Sequence, residues 1–237
     1  MIRALRYVAA TVGLTVFYGT WVLWSAWRGV RYERGGLYDR IQFEYGRRNL
    51  AANRMTVAVE GLEDAALDGP VVFVSNHLSW VDIWALLTAL PGSTRFVFKK
   101  ELSRIPFLGP AINAMGHISI DRGNRSSAFA SYDRSAEQIR RGTSAIVFAE
   151  GTRSLSGKLL PFKKGPFVLA IAAQVPVVPV VCVDTFERLP KRSISPRPGP
   201  VVVRVGRPIP TAGLDYTARD RLADEARAAM LAMGAVE

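Results

Sequence analysis

At 237 residues the chain is long enough for one sizeable core with an appendage, and two complete domains would be cramped. Its single cysteine, Cys182, sits in an apolar run, which excludes a disulfide framework or a thiolate metal cluster built within the chain. A net charge of +11 and a pI near 10.3 call for a polyanionic neighbour (nucleic acid, anionic lipid headgroups or a phosphorylated substrate), and the mean hydropathy of +0.13 suggests that some apolar surface faces something other than water.

The N-terminal stretch narrows that choice. Tyr7 to Trp27 carries no charge, and as a helix it would be about 31 Å long, enough to cross a hydrocarbon core. Arg3 and Arg6 precede it, and Arg28, Arg31 and Arg34 follow. Trp21, Trp24 and Trp27 recur at every third position near its end, where indoles favour the headgroup layer. The apolar region is too long for a cleaved signal and lacks a small-residue cleavage site, so it reads as a retained anchor. The arginines beyond it, continuing with Arg40, Arg47 and Arg48, bias the rest of the chain toward the cytoplasmic face of the membrane. From Gly36 to Arg54, Leu37, Ile41, Phe43, Tyr45 and Leu50 alternate with charges as in an amphipathic helix on a membrane or domain surface. Residues 1–54 are thus expected to be anchoring and interfacial helices, and 55–237 an α/β domain.

Past residue 54 the pattern changes to short β-branched runs: MTVAVE, VVFVSN, RFVFKK, HISID, SAIVFAE, VPVVPVVCVD and VVVRVG. Helical stretches fall between or after them at Ser79–Leu90, Leu108–Met115, Ser126–Arg141, Gly165–Gln174 and Thr217–Met233. This alternation predicts an α/β fold with a mixed, mostly parallel central sheet flanked by helices, in which ligands gather at the carboxyl ends of strands. The basic, proline-containing stretch Leu189 to Pro200 reads as an exposed loop.

Three constellations sit at those strand ends. In SNHLSWVDIW, Ser79 and Asp82 fit a capping box at the start of a helix, which explains Asp82 locally but not His77. A carboxylate in the first helical turn can also reach back to an imidazole, fix its tautomer and raise the basicity of the other nitrogen, as a general base for a hydroxyl requires. Two-ligand metal binding finds no further help, because His117 is the only other histidine. A nucleophilic serine is weak too, since no G-x-S-x-G turn surrounds Ser75 or Ser79. In FAEGTRS, Gly151 permits close backbone approach, Thr152 offers a hydroxyl, and Arg153 a fork that matches two phosphate oxygens; Glu150 is a turn acceptor or an anchor for Arg153. In FVFKKELSRIPFLGP, Lys99 and Lys100 end a strand before an apolar surface of Ile105, Phe107 and Leu108, and ISIDR adds Arg122 at another strand end. Each has a bland alternative as a cap, a turn or a solvated cation; together they would form an anion site.

NHLSWVDIW, KKELSRIPFLGP, ISIDR, FAEGTRS and VPVVPV, in this order from about Val71 to Val183, resemble the glycerolipid acyltransferase family, most closely its bacterial 1-acylglycerol-3-phosphate acyltransferases. The resemblance implies that His77 is the base for the sn-2 hydroxyl of lysophosphatidic acid and that Asp82 orients it. It implies that Lys100, Arg122 and Arg153 hold the phosphate with Gly151 and Thr152 shaping the loop, that Glu150 supports it, and that Pro176 and Pro179 shape a strand beside an acyl groove. The donor would be a thioester of acyl carrier protein or coenzyme A, with no metal or other cofactor. Membrane lipids would be partners and nucleic acid would not, consistent with the lack of a recognition helix or aromatic RNA-binding motif. Two alternatives stand beside it: acylation of another lyso-lipid such as lyso-ornithine lipid, and a non-catalytic, membrane-anchored protein that binds anionic lipid or nucleic acid.

Overall fold

The computed structural model describes the backbone of residues 2–120 and 125–237, and the side chains of all of these except 125–130. All seven β-branched runs form strands: β1 (Met55–Glu60), β2 (Val72–Ser75), β3 (Thr94–Lys99), β4 (Ile118–Ile120), β5 (Ser144–Phe148), β6 (Val177–Val183) and β7 (Gly199–Val205). The described helices are α1 (Ile2–Trp27), α2 (Leu37–Ala52), α3 (Val81–Ala89), α4 (Leu108–Ala114), α5 (Arg125–Arg140), α6 (Gly165–Ala173), the short α7 (Thr185–Arg188) and α8 (Arg219–Ala232). The strands form one sheet in the order β1-β7-β6-β2-β5-β3-β4. Every pairing is parallel except β6 with β7, which runs antiparallel and makes the sheet mixed.

Both faces of the sheet are covered, which is why β2, β5 and β6 are near-continuous apolar runs, with a serine at one end of β2 and of β5, rather than alternating. Successive side chains point to opposite faces. Phe73 of β2 joins Ile146, Val178 and Val180 against Val81, Trp84, Ala85 and Leu86 of α3. Its neighbours Val72 and Val74 join Val147 and Val177 against Ile139 of α5, Phe167 and Leu169 of α6, and Leu222 of α8.

Pro179 lies in the interior of β6, where a missing N–H would ordinarily break a ladder. Here the β6–β7 pairing is interrupted beside it: Val180 pairs with Val205 and Val177 bridges to Ile209, so the second strand carries one extra residue, while Gly206 donates to the Pro179 carbonyl at 2.8 Å. This bulge leaves no donor for Pro179 to supply.

The N-terminal helix, uncharged from Tyr7 onward, does not stand apart. Tyr18 and Val22 of α1 form a third core cluster with Tyr38 and Ile41 of α2 and with Ala111 of α4 and Met115. Tyr7, near its start, meets the Trp84 ring at 6.2 Å. The opposite side of α1 exposes Val8, Val12, Val16, Phe17, Trp21, Trp24 and Trp27. Gly19 lets the exposed apolar loop before α4 join that surface, since a Cβ there would lie 2.6 Å from the Phe107 ring.

Candidate active site

Parallel strands bring their carboxyl ends to one edge of the sheet, and candidate residues follow three strands that are neighbours in the order β2-β5-β3. His77 and Asp82 follow β2, Glu150 to Arg153 follow β5, and Lys100 opens the 3-10 turn Lys100–Arg104 directly after β3.

Asp82 serves both purposes weighed for it, and does so through one oxygen. Its Oδ2 accepts from the backbone N–H of Leu78 and of Ser79, each at 2.7 Å, and lies 2.9 Å from His77 Nδ1. The side chain is wholly buried. A carboxylate already taking two N–H donors is the acceptor for Nδ1 as well, so Nδ1 carries the proton and Nε2 presents a lone pair. The capping box itself is only half made. Asp82 caps the Ser79 N–H, but helix α3 begins at Val81 with Trp80 as its cap residue, and Ser79 Oγ accepts from Val81 N at 3.1 Å instead of from the Asp82 N–H. The Ser79 hydroxyl donates to the Leu189 carbonyl at 2.7 Å.

The two motifs are fastened to each other through the backbone of His77. Its N–H donates to Glu150 Oε1 at 2.8 Å, and its carbonyl accepts from Ser154 N at 2.8 Å. Glu150 Oε2 takes a second donor, Leu160 N, at 2.9 Å. Glu150 is therefore a backbone acceptor and not an anchor for Arg153. Burial pushes its carboxyl up to about 7, although both backbone donors favour the charged form. Gly151 makes the turn with φ of +71°, a left-handed conformation that favours glycine. The His77 ring lies flat on Phe148, with centroids 3.7 Å apart and planes 10° apart. Carboxylate, stacked ring and two backbone bonds together leave the imidazole a single orientation.

The Arg153 guanidinium lies over the Trp80 ring at 4.6 Å from its centroid. Lys191, from the stretch expected to be an open loop, donates from Nζ to the Arg153 carbonyl at 2.8 Å and to Thr152 Oγ1 at 3.3 Å. Sequence reasoning missed Trp80, Phe148 and Lys191. Only Lys191 left a usable signal, as a cation shortly after the carboxyl end of a central strand. Pro176 passes its carbonyl to Val72 N at 2.9 Å at the start of β6. Arg122 lies outside the described residues.

This arrangement can take a proton at His77 Nε2, and the backbone of His77 is bonded to the turn that carries Arg153. Residues 56–183 match the family described as Acyltransferase. Among curated proteins, acl-2 of Caenorhabditis elegans is 38% identical over 177 residues, covering 73% of this chain and 62% of its own length. The 1-acyl-sn-glycerol-3-phosphate acyltransferase of Cocos nucifera is 34% identical over 186 residues, covering 78% and 59%. The chain thus spans less than two thirds of the length of these relatives. The crystal structure of the 1-acyl-sn-glycerophosphate (LPA) acyltransferase PlsC from Thermotoga maritima superposes with a TM-score of 0.74 at 26% identity, covering 100% of this chain and 97% of that one. The family match spans the loop that holds His77 and Asp82, the turn of Glu150 to Arg153 and the strand they flank, and by that match the chain belongs to the acyltransferase family.

Proposed function

We propose that the protein transfers an acyl chain from a thioester of acyl carrier protein or coenzyme A to the sn-2 hydroxyl of 1-acylglycerol-3-phosphate, giving phosphatidic acid. His77 Nε2 takes the hydroxyl proton as the oxygen attacks the thioester carbonyl. The new ester C–O bond forms, the C–S bond breaks, and the proton passes from the imidazolium to the departing sulfur. Asp82 holds the tautomer and stabilises the transient imidazolium. Arg153, Thr152 and Lys100 bind the acceptor's phosphate and oppose the negative charge that develops on the carbonyl oxygen, with Arg122 as a further cation. The scheme needs no metal or cofactor beyond the donor.

The observation that carries this reading is the single Asp82 oxygen that fixes His77 Nδ1 and two neighbouring N–H groups, in a loop bonded at both ends of His77 to the glutamate–glycine–threonine–arginine turn. A protein that only bound anionic lipid would need the cations but not an oriented imidazole. The relatives' name for a phosphate-bearing acceptor supports lysophosphatidic acid over lyso-ornithine lipid.

The site works at a membrane surface, with the α/β domain on the cytoplasmic side. Arg47 and Arg48 line the groove beside Ala9, Ala10 and Gly13, near the middle of α1. Were α1 to cross the bilayer, those arginines would be drawn toward its centre, at a cost of about 2.5–3.5 kcal/mol each. An orientation along one leaflet, with the Trp21–Trp24–Trp27 side immersed, avoids that cost.

The test is product analysis with purified protein in detergent, using lysophosphatidic acid and lyso-ornithine lipid as acceptors and both thioesters as donors. Phosphatidic acid and one thiol per turnover are expected. Membrane binding with no thioester consumed would refute the reading, and acylation of lyso-ornithine lipid alone would reassign the acceptor.

A further inference from the structure

The stretch Leu189–Pro200 is basic and rich in proline, but it is pinned. Ser79 Oγ holds the Leu189 carbonyl at 2.7 Å, so the loop that carries the catalytic pair also fixes the start of this one. Arg188 reaches across its far end, donating from Nε to the Pro200 carbonyl and from an Nη to the Pro198 carbonyl, each at 3.1 Å, and Arg197 N returns to the Arg188 carbonyl at 2.7 Å. Lys191 is thereby delivered to the Glu150–Arg153 turn by an ordered scaffold.

The charge arrangement there differs from that at other arginines of the chain. Arg47, Arg140, Arg204 and Arg227 each pair with a glutamate. Neither Arg153 nor Lys191 has a carboxylate at ion-pair distance among the described residues: Arg153 has the Trp80 face, and Lys191 has a carbonyl and a hydroxyl. Two cations held against one short turn repel each other, and an anion bound there relieves the repulsion. Lys191 Nζ has a third N–H to give. Thr152 Oγ1, by accepting from Lys191, turns its own proton outward as a donor.

We propose that Lys191 is a specificity-determining residue: with Arg153 and the Thr152 hydroxyl it forms a two-cation seat that selects a lyso-lipid ending in a phosphomonoester. A monoester carries a charge of about −1.5 to −2 at neutral pH, with its second ionisation near pH 6, and matches two cations; a phosphodiester carries one charge and a substituent where the third oxygen should sit. The proposal rests on the acyltransferase reading above and adds to it a residue outside the motifs that carry the family resemblance. A lysine that merely clamps the turn would serve every acceptor and every charge state equally.

The experiment compares wild type, Lys191→Gln and Lys191→Arg in detergent with lysophosphatidic acid as acceptor, at pH 5.5 and pH 7.5. Glutamine keeps a donor for the Arg153 carbonyl but removes the charge. At pH 7.5, Lys191→Gln is expected to raise KM for the acceptor about tenfold, the scale of one charge-assisted hydrogen bond, with the loss in KM rather than kcat. At pH 5.5, where the phosphate is largely singly charged, the variant-to-wild-type ratio falls to about threefold or less. Lys191→Arg restores most of the affinity. Taking the ratio at each pH cancels titration of the base, which both proteins share. A wild-type KM in Lys191→Gln at pH 7.5, or an equal rise at both pH values that arginine does not repair, overturns the proposal. Either result leaves the acyltransferase reading standing, because wild-type turnover is measured in the same assay.

Discussion

The chain has two histidines, and they lie at the two ends of one row of aromatic rings. His77 stacks on Phe148, Phe148 on Phe96 at 5.6 Å, and Phe96 meets the His117 ring at 6.2 Å. Their polar partners are opposite in kind. His77 Nδ1 faces the Asp82 carboxylate and is a donor; His117 Nδ1 accepts from the Phe96 N–H at 3.1 Å. The neutral rings are therefore opposite tautomers, with the bare nitrogen of His77 being Nε2 and that of His117 being the one already occupied by the backbone. Burial, and then the Arg95 charge, push His117 down to about 3, so it stays neutral and takes no part in proton transfer near pH 7. In the proposed reaction the residue type does not make a base; the carboxylate behind Nδ1 does, and only His77 of the two has one there.

This contrast can be broken or sharpened by substitution. The largest effect is expected for His77→Ala, a loss of about 10³-fold or more in kcat with little change in melting temperature, measured as thiol release from the donor. Turnover close to wild type would remove the base. Asp82→Asn comes next. An asparagine oxygen in the same place can still accept from Leu78, Ser79 and His77 Nδ1, so the fold and the tautomer are kept while the charge that steadies the imidazolium is lost; kcat should fall about 10²-fold. Turnover close to wild type in Asp82→Asn, with a fall in melting temperature worth about 1 kcal/mol in Asp82→Ala as for any lost cap, would make Asp82 a cap and nothing more. The smallest effect on turnover belongs to His117→Gln, within about twofold at pH 7.5.

For His117→Gln the informative quantity is acid stability. The native pKa of about 3 lies below the unfolded value near 6.5, so between those values the unfolded chain binds the extra proton. The stability contributed by neutral His117 is complete above pH 6.5 and drains away as pH falls toward 3. Glutamine does not titrate, so thermal unfolding of the variant should lose less stability than wild type across that window. An identical slope would show that His117 is protonated in the folded state.

Much of this was legible in the sequence because it is local. Each β-branched run became a strand, and the bounds of α4 and α6 came within one residue of the expected ones. His77 and Asp82 are five residues apart in a strand-to-helix turn, so spacing alone brought them together. What the sequence hid depends on partners distant in the chain. The antiparallel β7 has no signature separating it from a parallel strand, because direction is set by which neighbour it pairs with. Arg95 looked like a polar residue within a strand, yet it is fully buried, paired with Asp39 at 2.6 Å and lying over Tyr32 at 4.2 Å, an ion pair 56 positions wide in sequence. Lys191 looked solvated, since nothing local records that Ser79 ties its loop down from 110 positions away. In α1 the uncharged run pointed to an exposed apolar surface but concealed that Tyr18 and Val22 pack on the domain.

Because the chain holds just two histidines, their tautomers can be read directly from nitrogen–proton correlation spectra of protein labelled with ¹⁵N-histidine at pH 7.5. The expected result is two opposite patterns. One ring shows a protonated Nδ1 and a bare Nε2 and disappears in His77→Ala; the other shows a protonated Nε2 and disappears in His117→Gln. A His77 ring protonated on Nε2, with Nδ1 bare toward Asp82, would contradict the claim that an imidazole steadied by a carboxylate stands ready to take the acceptor's proton.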